Sequence, residues 1–131
     1  MLTVTPFLRN ALLLDAAMSG AAAILMMGGA KMLSPLLGLP EPLLFWAGVV
    51  LVPFVVLLVA LARRATVGRL MLVDVIGINA LWAAASIGLL FTGAVSPTPL
   101  GYAFVIAQAA AVGLFAELQF MAMRRAQAVA I

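Results

Sequence analysis

The 131-residue chain contains no cysteine and no histidine. The lack of cysteine excludes a disulfide framework, a thiol redox pair and a thiolate metal site. The lack of histidine removes the commonest zinc and haem ligand and the usual proton shuttle. The sequence also has no Walker loop, dinucleotide-binding fingerprint or Ser/His/Asp set. We therefore expect neither a cofactor nor a metal, and no catalytic residues.

Charged side chains are scarce as well. They make up 8% of the sequence and hydrophobic residues 67%, whereas a soluble domain has about 25% and 45–50%. The seven basic and four acidic residues are too few to cover a soluble surface, and the mean hydropathy is +1.30. These values predict an integral membrane protein and exclude a nucleic-acid-binding module.

Four apolar stretches are long enough to cross a bilayer, which takes about 20 residues. They cover residues 8–30, 43–62, 70–91 and 100–123, each approximately. Pro6, Pro42 and Pro99 lie close to where three of the helices begin, a position that tolerates proline. Because the connections are short, neighbouring spans should run antiparallel. The sequence predicts an all-α four-helix bundle that forms a single transmembrane domain over residues 1–131.

The basic residues predict the orientation of these spans. Arginines cluster on one side of the bundle, at Arg9, Arg63, Arg64, Arg69, Arg124 and Arg125, and the other side has only Lys31. Under the positive-inside rule, both termini and the middle loop are cytoplasmic. We expect a multi-pass protein of a bacterial inner (cytoplasmic) membrane.

The two predicted hairpins share a faint pattern. Leu13-Leu14-Asp15 corresponds to Leu72-Val73-Asp74, and each hairpin turns at a Pro-x-Pro, at residues 40–42 and 97–99. One interpretation is a tandem hairpin repeat related by an axis along the membrane normal. The other is chance similarity between leucine-rich segments, and the sequence leaves both open.

Polar side chains inside the spans are candidate functional sites because they are costly at that depth. They are Asp15, Asp74, Asn79 and Glu117. At about 1.5 Å of rise per residue, the three carboxylates lie roughly 8–11 Å inside the level of the nearest arginines. Those arginines, the candidate ion-pair partners, are Arg9, Arg69 and Arg124. We expect a layer of three carboxylates in which at least one forms a salt bridge to an arginine.

Two interpretations of this layer stay open. In the first, the carboxylates lock helices together through ion pairs or protonation, while Asn79, Gln108 and Gln119 form hydrogen bonds between helices. In the second, Asp15 belongs to a cation or proton pathway. An enzyme acting on lipid or quinone would need an acid–base residue facing a cavity, and Glu117 is the candidate.

The first 45 residues resemble a known family. Gly28-Gly29-Ala30-Lys31, followed by Leu36-Leu37-Gly38-Leu39-Pro40, is similar to the end of the first helix in DoxX-like four-helix membrane proteins. That resemblance implies an accessory role beside membrane oxidoreductases. The chain also resembles small multidrug-resistance transporters, in which an acidic residue of the first helix has the role that Asp15 would have here.

These observations favour a non-catalytic accessory or structural subunit of a larger membrane complex or oligomer. Its expected partners are the lipid bilayer, other membrane subunits or copies of itself, and no nucleic acid. The alternative is a small cation- or proton-coupled transporter that uses Asp15 as the coupling acid.

Overall fold

The computed structural model describes the backbone of residues 1–130 and the side chains of residues 1–126. Its elements are β1 (Leu2–Thr3), α1 (Pro6–Gly28), α2 (Ala30–Leu37), α3 (Glu41–Ala62), β2 (Thr66–Val67), α4 (Arg69–Leu89) and α5 (Pro99–Ala130). Four of these helices, α1, α3, α4 and α5, are long and apolar enough to cross a membrane. The all-α class and the four apolar helices are therefore confirmed.

Local chemistry sets where the first long helix begins and ends. The Thr5 side-chain oxygen accepts a hydrogen bond from the Leu8 amide at 3.2 Å, which caps α1 just before Pro6. The helix stops at Gly28, and the next residue is also a glycine. A Cβ on Gly29 would lie only 2.7 Å from the Leu25 carbonyl oxygen, so this turn of the chain requires glycine.

The short helix α2 lies mostly in the connection between the predicted spans over residues 8–30 and 43–62, where the sequence predicts no helix. Proline at position 35 and glycine at position 38 are loop signals, and Pro35 does remove one helical hydrogen bond. The segment is nevertheless helical because it buries Ala30 and Leu37 against the bundle. Gly38 then ends the helix in the left-handed region at φ 67°.

The long helices are arranged in the spatial order α3, α1, α5, α4. Helix α1 packs on α3 and on α5, and α4 packs mainly on α5, while α3 and α4 touch little over the described residues. The approach of α1 to α3 is close at Gly48, where a Cβ would lie 2.7 Å from the Met27 side chain. Helices α1 and α5 therefore form the middle of the bundle, with α3 and α4 on its flanks.

At one end of the bundle, here called the basic end, Arg9, Arg63, Arg64 and Arg69 lie together with a small antiparallel pairing. Leu2 pairs with Val67 and Thr3 with Thr66, which joins β1 to β2. The Arg9 side chain donates to the Ala62 carbonyl oxygen at 2.8 Å, so it covers a carbonyl at the end of α3. No pattern in the sequence predicts this strand pairing.

The opposite end, here called the proline-rich end, joins the two chain segments that contain Pro40 and Pro97. The Thr98 amide donates to the Leu37 carbonyl oxygen at 3.0 Å, and the Thr98 hydroxyl donates to the Leu36 carbonyl oxygen at 2.7 Å. These bonds fasten the end of α2 to the start of α5. Each end of the bundle has its own apolar core, and along α1 the two cores are separated by the turn that contains Ser19.

Candidate functional site

A buried polar cluster lies around Asp15, whose side chain is completely inaccessible to solvent. The Ser19 hydroxyl donates to Asp15 Oδ1 at 3.0 Å. The Asn79 side-chain amide and the Gln119 side-chain amide each donate to Asp15 Oδ2 at 2.7 Å. The donors come from α1, α4 and α5, so one carboxylate is held by three helices. We call Asp15, Ser19, Asn79 and Gln119 the Asp15 cluster.

The Asp15 cluster is closed by a fourth hydrogen bond. Asn79 Nδ2 also donates to Gln119 Oε1 at 3.0 Å, so both protons of this amide are used. Among the residues with described side chains, every buried side-chain nitrogen and oxygen has a partner. A fully satisfied network of this kind fixes the positions of its helices, since any displacement would leave a buried donor or acceptor unpaired.

Among the described side chains, no arginine is a hydrogen-bond donor to Asp15, because all three donors to this carboxylate are neutral. Arg9 donates to the backbone carbonyls of Ala62 and Arg64 instead. Six residues separate Arg9 from Asp15, which turns the two side chains about 120° apart around α1. Arg69 is exposed at the start of α4, and the Arg124 guanidinium lies 5.9 Å from the Phe120 ring centroid. A salt bridge between an arginine and one of the other two carboxylates, Asp74 or Glu117, stays a prediction.

Asp74 and Glu117 do not join the Asp15 cluster. Both are exposed on the outer faces of their helices, whereas Asn79 and Gln119 are buried. Asp74 is five residues from Asn79 and Glu117 two residues from Gln119, so helical geometry turns each carboxylate more than 120° away from its buried neighbour. The three carboxylates therefore do not share one site, and Glu117 lines neither of the cavities described below.

Of the four predicted candidates, the Asp15 cluster contains Asp15 and Asn79, and the structure adds Ser19 and Gln119 to them. Ser19 is four residues after Asp15, the spacing that places two side chains on one helix face, and this signal was available in the sequence. Gln119 was predicted only as a contact between helices. Its pairing with Asp15 spans 104 residues of chain, and no local pattern indicates a partner so far away.

A cavity of about 380 Å³ lies between all four long helices, beside the Asp15 cluster. Its walls are mostly apolar, and Ser19 is one of the few polar residues that line it. On the same wall, the Trp82 indole N–H donates to Gln108 Oε1 at 3.0 Å. The Ser19 side chain therefore contacts both the cavity and the buried carboxylate.

A second cavity, of about 530 Å³, lies at the proline-rich end, between the end of α1 and the start of α3. It is lined by Met27, Gly28, Ala30, Lys31, Glu41, Pro42, Phe45 and Trp46. We call it the Lys31–Glu41 cavity, because these are its two charged residues.

No family model, curated protein or solved structure matches the chain. Among the residues that the structure describes, no group of three or more histidine, cysteine, aspartate or glutamate side chains is placed to hold a metal ion. The features that can indicate a function are the buried Asp15 cluster, the two cavities and the exposed faces of α4 and α5.

Proposed function

We propose that the protein is a non-catalytic, multi-pass membrane subunit that works within an oligomer or a larger membrane assembly. The observation that supports this role is the exposure of Asp74 and Glu117 on the lateral faces of two membrane-length helices. The resemblance of residues 28–40 to DoxX-like proteins agrees with an accessory role. We place the basic end on the cytoplasmic side of a bacterial inner membrane, as the arginine distribution favours.

A carboxylate that faces lipid, as Asp74 and Glu117 would in a single chain, has an energetic cost. On insertion scales, an aspartate at the centre of a span costs about 2.5–3.5 kcal/mol, and less near the interface. A partner helix that supplies a basic or amide group would remove much of this cost. Helix α4 also has a large free surface, since only Leu72, Val75 and Asn79 of its 21 residues are buried.

The mass of the purified protein in mild detergent tests whether the chain works within an assembly. We expect the wild-type chain to migrate as an oligomer or with a co-purified membrane partner, above the 13.6 kDa of one chain. Asp74→Asn and Glu117→Gln should each weaken the association by roughly tenfold, which corresponds to about 1.4 kcal/mol. Native mass spectrometry and light scattering would measure both effects.

Glu41→Gln is the matched control, because it removes a carboxylate at the first residue of α3 rather than from the middle of a helix. This variant should keep the wild-type number of chains in the particle. A wild-type chain that purifies as a stable monomer with no partner would contradict the proposal, as would unchanged association in both span variants.

A second candidate function is cation- or proton-coupled transport with Asp15 as the coupling acid. The observation that favours it is the position of Ser19, which donates to Asp15 and also lines the 380 Å³ cavity. A ligand in this cavity that contacts Ser19 would be separated from the Asp15 carboxylate by the Ser19 hydroxyl group alone. Occupancy of the cavity and the hydrogen bonding of Asp15 would then be linked.

Asp15→Asn tests this second function. The asparagine oxygen can accept from Asn79 and Gln119 in place of Oδ2, and its amide can donate to Ser19, so we expect the variant to fold. If Asp15 couples transport, the variant should lose pH-driven uptake of ethidium into vesicles, with Asp74→Asn as the control that retains it. Equal uptake by wild-type and Asp15→Asn vesicles, or none by either, would refute coupled transport of this cation.

A further inference from the structure

The half of the bundle at the proline-rich end has two charged side chains, and both of them line one cavity. Between Asp15 and Arg63 the sequence has no charged residue except Lys31 and Glu41, and between Asp74 and Glu117 it has none. Lys31 belongs to α2 and Glu41 is the first residue of α3, yet both contribute to the Lys31–Glu41 cavity. One positive and one negative side chain thus line the same cavity where α1 ends and α3 begins.

Aromatic residues form part of the same wall. The rings of Phe45 and Trp46 lie 5.3 Å apart between centroids at an interplanar angle of 85°, and Trp46 is 61% exposed. Aromatic faces attract ammonium groups, and tryptophan is enriched where membrane spans meet the headgroup layer. The cavity also has space at Gly28, where an added Cβ would meet no atom within 4 Å.

We propose that the Lys31–Glu41 cavity binds the zwitterionic phosphate–ammonium headgroup of a glycerophospholipid. The Lys31 ammonium binds the phosphate, since charge-assisted hydrogen bonds of this kind are the strong ones. The Glu41 carboxylate and the Trp46 ring bind the ammonium group of the headgroup. The two protein charges therefore match the two charges of the ligand in sign.

The surface beneath the cavity favours a lipid over a soluble phosphate compound. Ile24 is one helical turn before Gly28 on α1, and Val50 is one turn after Trp46 on α3. Their side chains are 73% and 57% exposed, so each of the two helices presents an apolar side chain one turn from the cavity, on which an acyl chain can lie. This site is independent of the proposed assembly through Asp74 and Glu117.

Native mass spectrometry of the detergent-purified chain tests the site, with dioleoyl phosphatidylethanolamine as the zwitterionic lipid and dioleoyl phosphatidylglycerol as the anionic one. We expect the wild type to retain phosphatidylethanolamine in preference. Lys31→Gln should weaken binding of both lipids by roughly tenfold, the effect of losing one hydrogen bond to a charged group. Glu41→Gln should abolish the preference for phosphatidylethanolamine, and Arg63→Gln, which removes a charge at the basic end, should change neither result.

Fluorescence gives a readout that does not depend on those variants. In a Trp82→Phe background, Trp46 is the single tryptophan, and brominated phosphatidylethanolamine should quench it more strongly than brominated phosphatidylglycerol. Equal quenching by the two lipids, or unchanged lipid retention in Lys31→Gln and Glu41→Gln, would overturn the proposal. Soluble phosphoethanolamine that displaces the lipid at equal concentration would also overturn it, because recognition would then need no membrane.

Discussion

Replacing Asp15 with alanine is expected to destabilise the bundle by about 1–3 kcal/mol, the cost of leaving buried hydrogen-bonding groups without a partner. The Asn79 and Gln119 amides and the Ser19 hydroxyl all donate to this carboxylate, and the alanine side chain has no acceptor to replace it. Unfolding in mixed detergent micelles, followed by circular dichroism, would measure the change.

Two comparisons make this result specific to the buried hydrogen bonds. Asp15→Asn keeps an acceptor for Asn79 and Gln119 and should retain most of the stability, while Asp74→Ala removes an exposed carboxylate and should have a smaller effect on a single chain. If Asp15→Ala is no less stable than Asp74→Ala, the Asp15 cluster does not hold the helices together.

Gly101→Ala is expected to destabilise the chain by about 2–4 kcal/mol, at or above the usual cost of overpacking. A Cβ on Gly101 would overlap the Leu37 carbonyl oxygen, which is backbone and cannot rotate away. That same oxygen accepts the Thr98 amide, so any displacement of α2 would break the junction at the proline-rich end. Thermal melting in detergent would report the loss.

Gly113→Ala is the matched control, because Gly113 is on the same helix and an added Cβ there meets no atom within 4 Å. The substitution should be neutral, or stabilising by up to about 1 kcal/mol through the better helix propensity of alanine. Similar melting temperatures for the two alanine variants would show that α2 and α5 are not in close contact at Gly101.

The long helices were predictable from the sequence because membrane-length apolar runs are a local property of the chain. The predicted span over residues 43–62 differs from α3 by two residues at its start and by none at its end. Helix α2 was not predictable, because Pro35 and Gly38 are typical of loops and the contacts that stabilise the helix come from residues distant in sequence.

The candidate site was predictable only in part. The rarity of acidic residues in spans identified Asp15, and depth counting grouped it with Asp74 and Glu117. Depth alone does not specify which way a side chain points, and the hydrogen bonds that distinguish Asp15 from the other two carboxylates join it to Asn79 and Gln119, 64 and 104 residues later. The order of the helices across the bundle decides these pairings, and that order is not encoded in any single span.

Asp15 is synthesised well before its two amide partners, because Asn79 and Gln119 come 64 and 104 residues later in the sequence. At about 5–20 residues per second, Asn79 is synthesised roughly 3–13 s after Asp15 and Gln119 roughly 5–20 s after it, so α1 is complete before either amide donor exists. Until Asn79 is made, the carboxylate has neither of its amide donors. Of its three donors in the finished bundle, only Ser19 is on the same helix, and its hydroxyl is the one available to Asp15 before α4 and α5 are made.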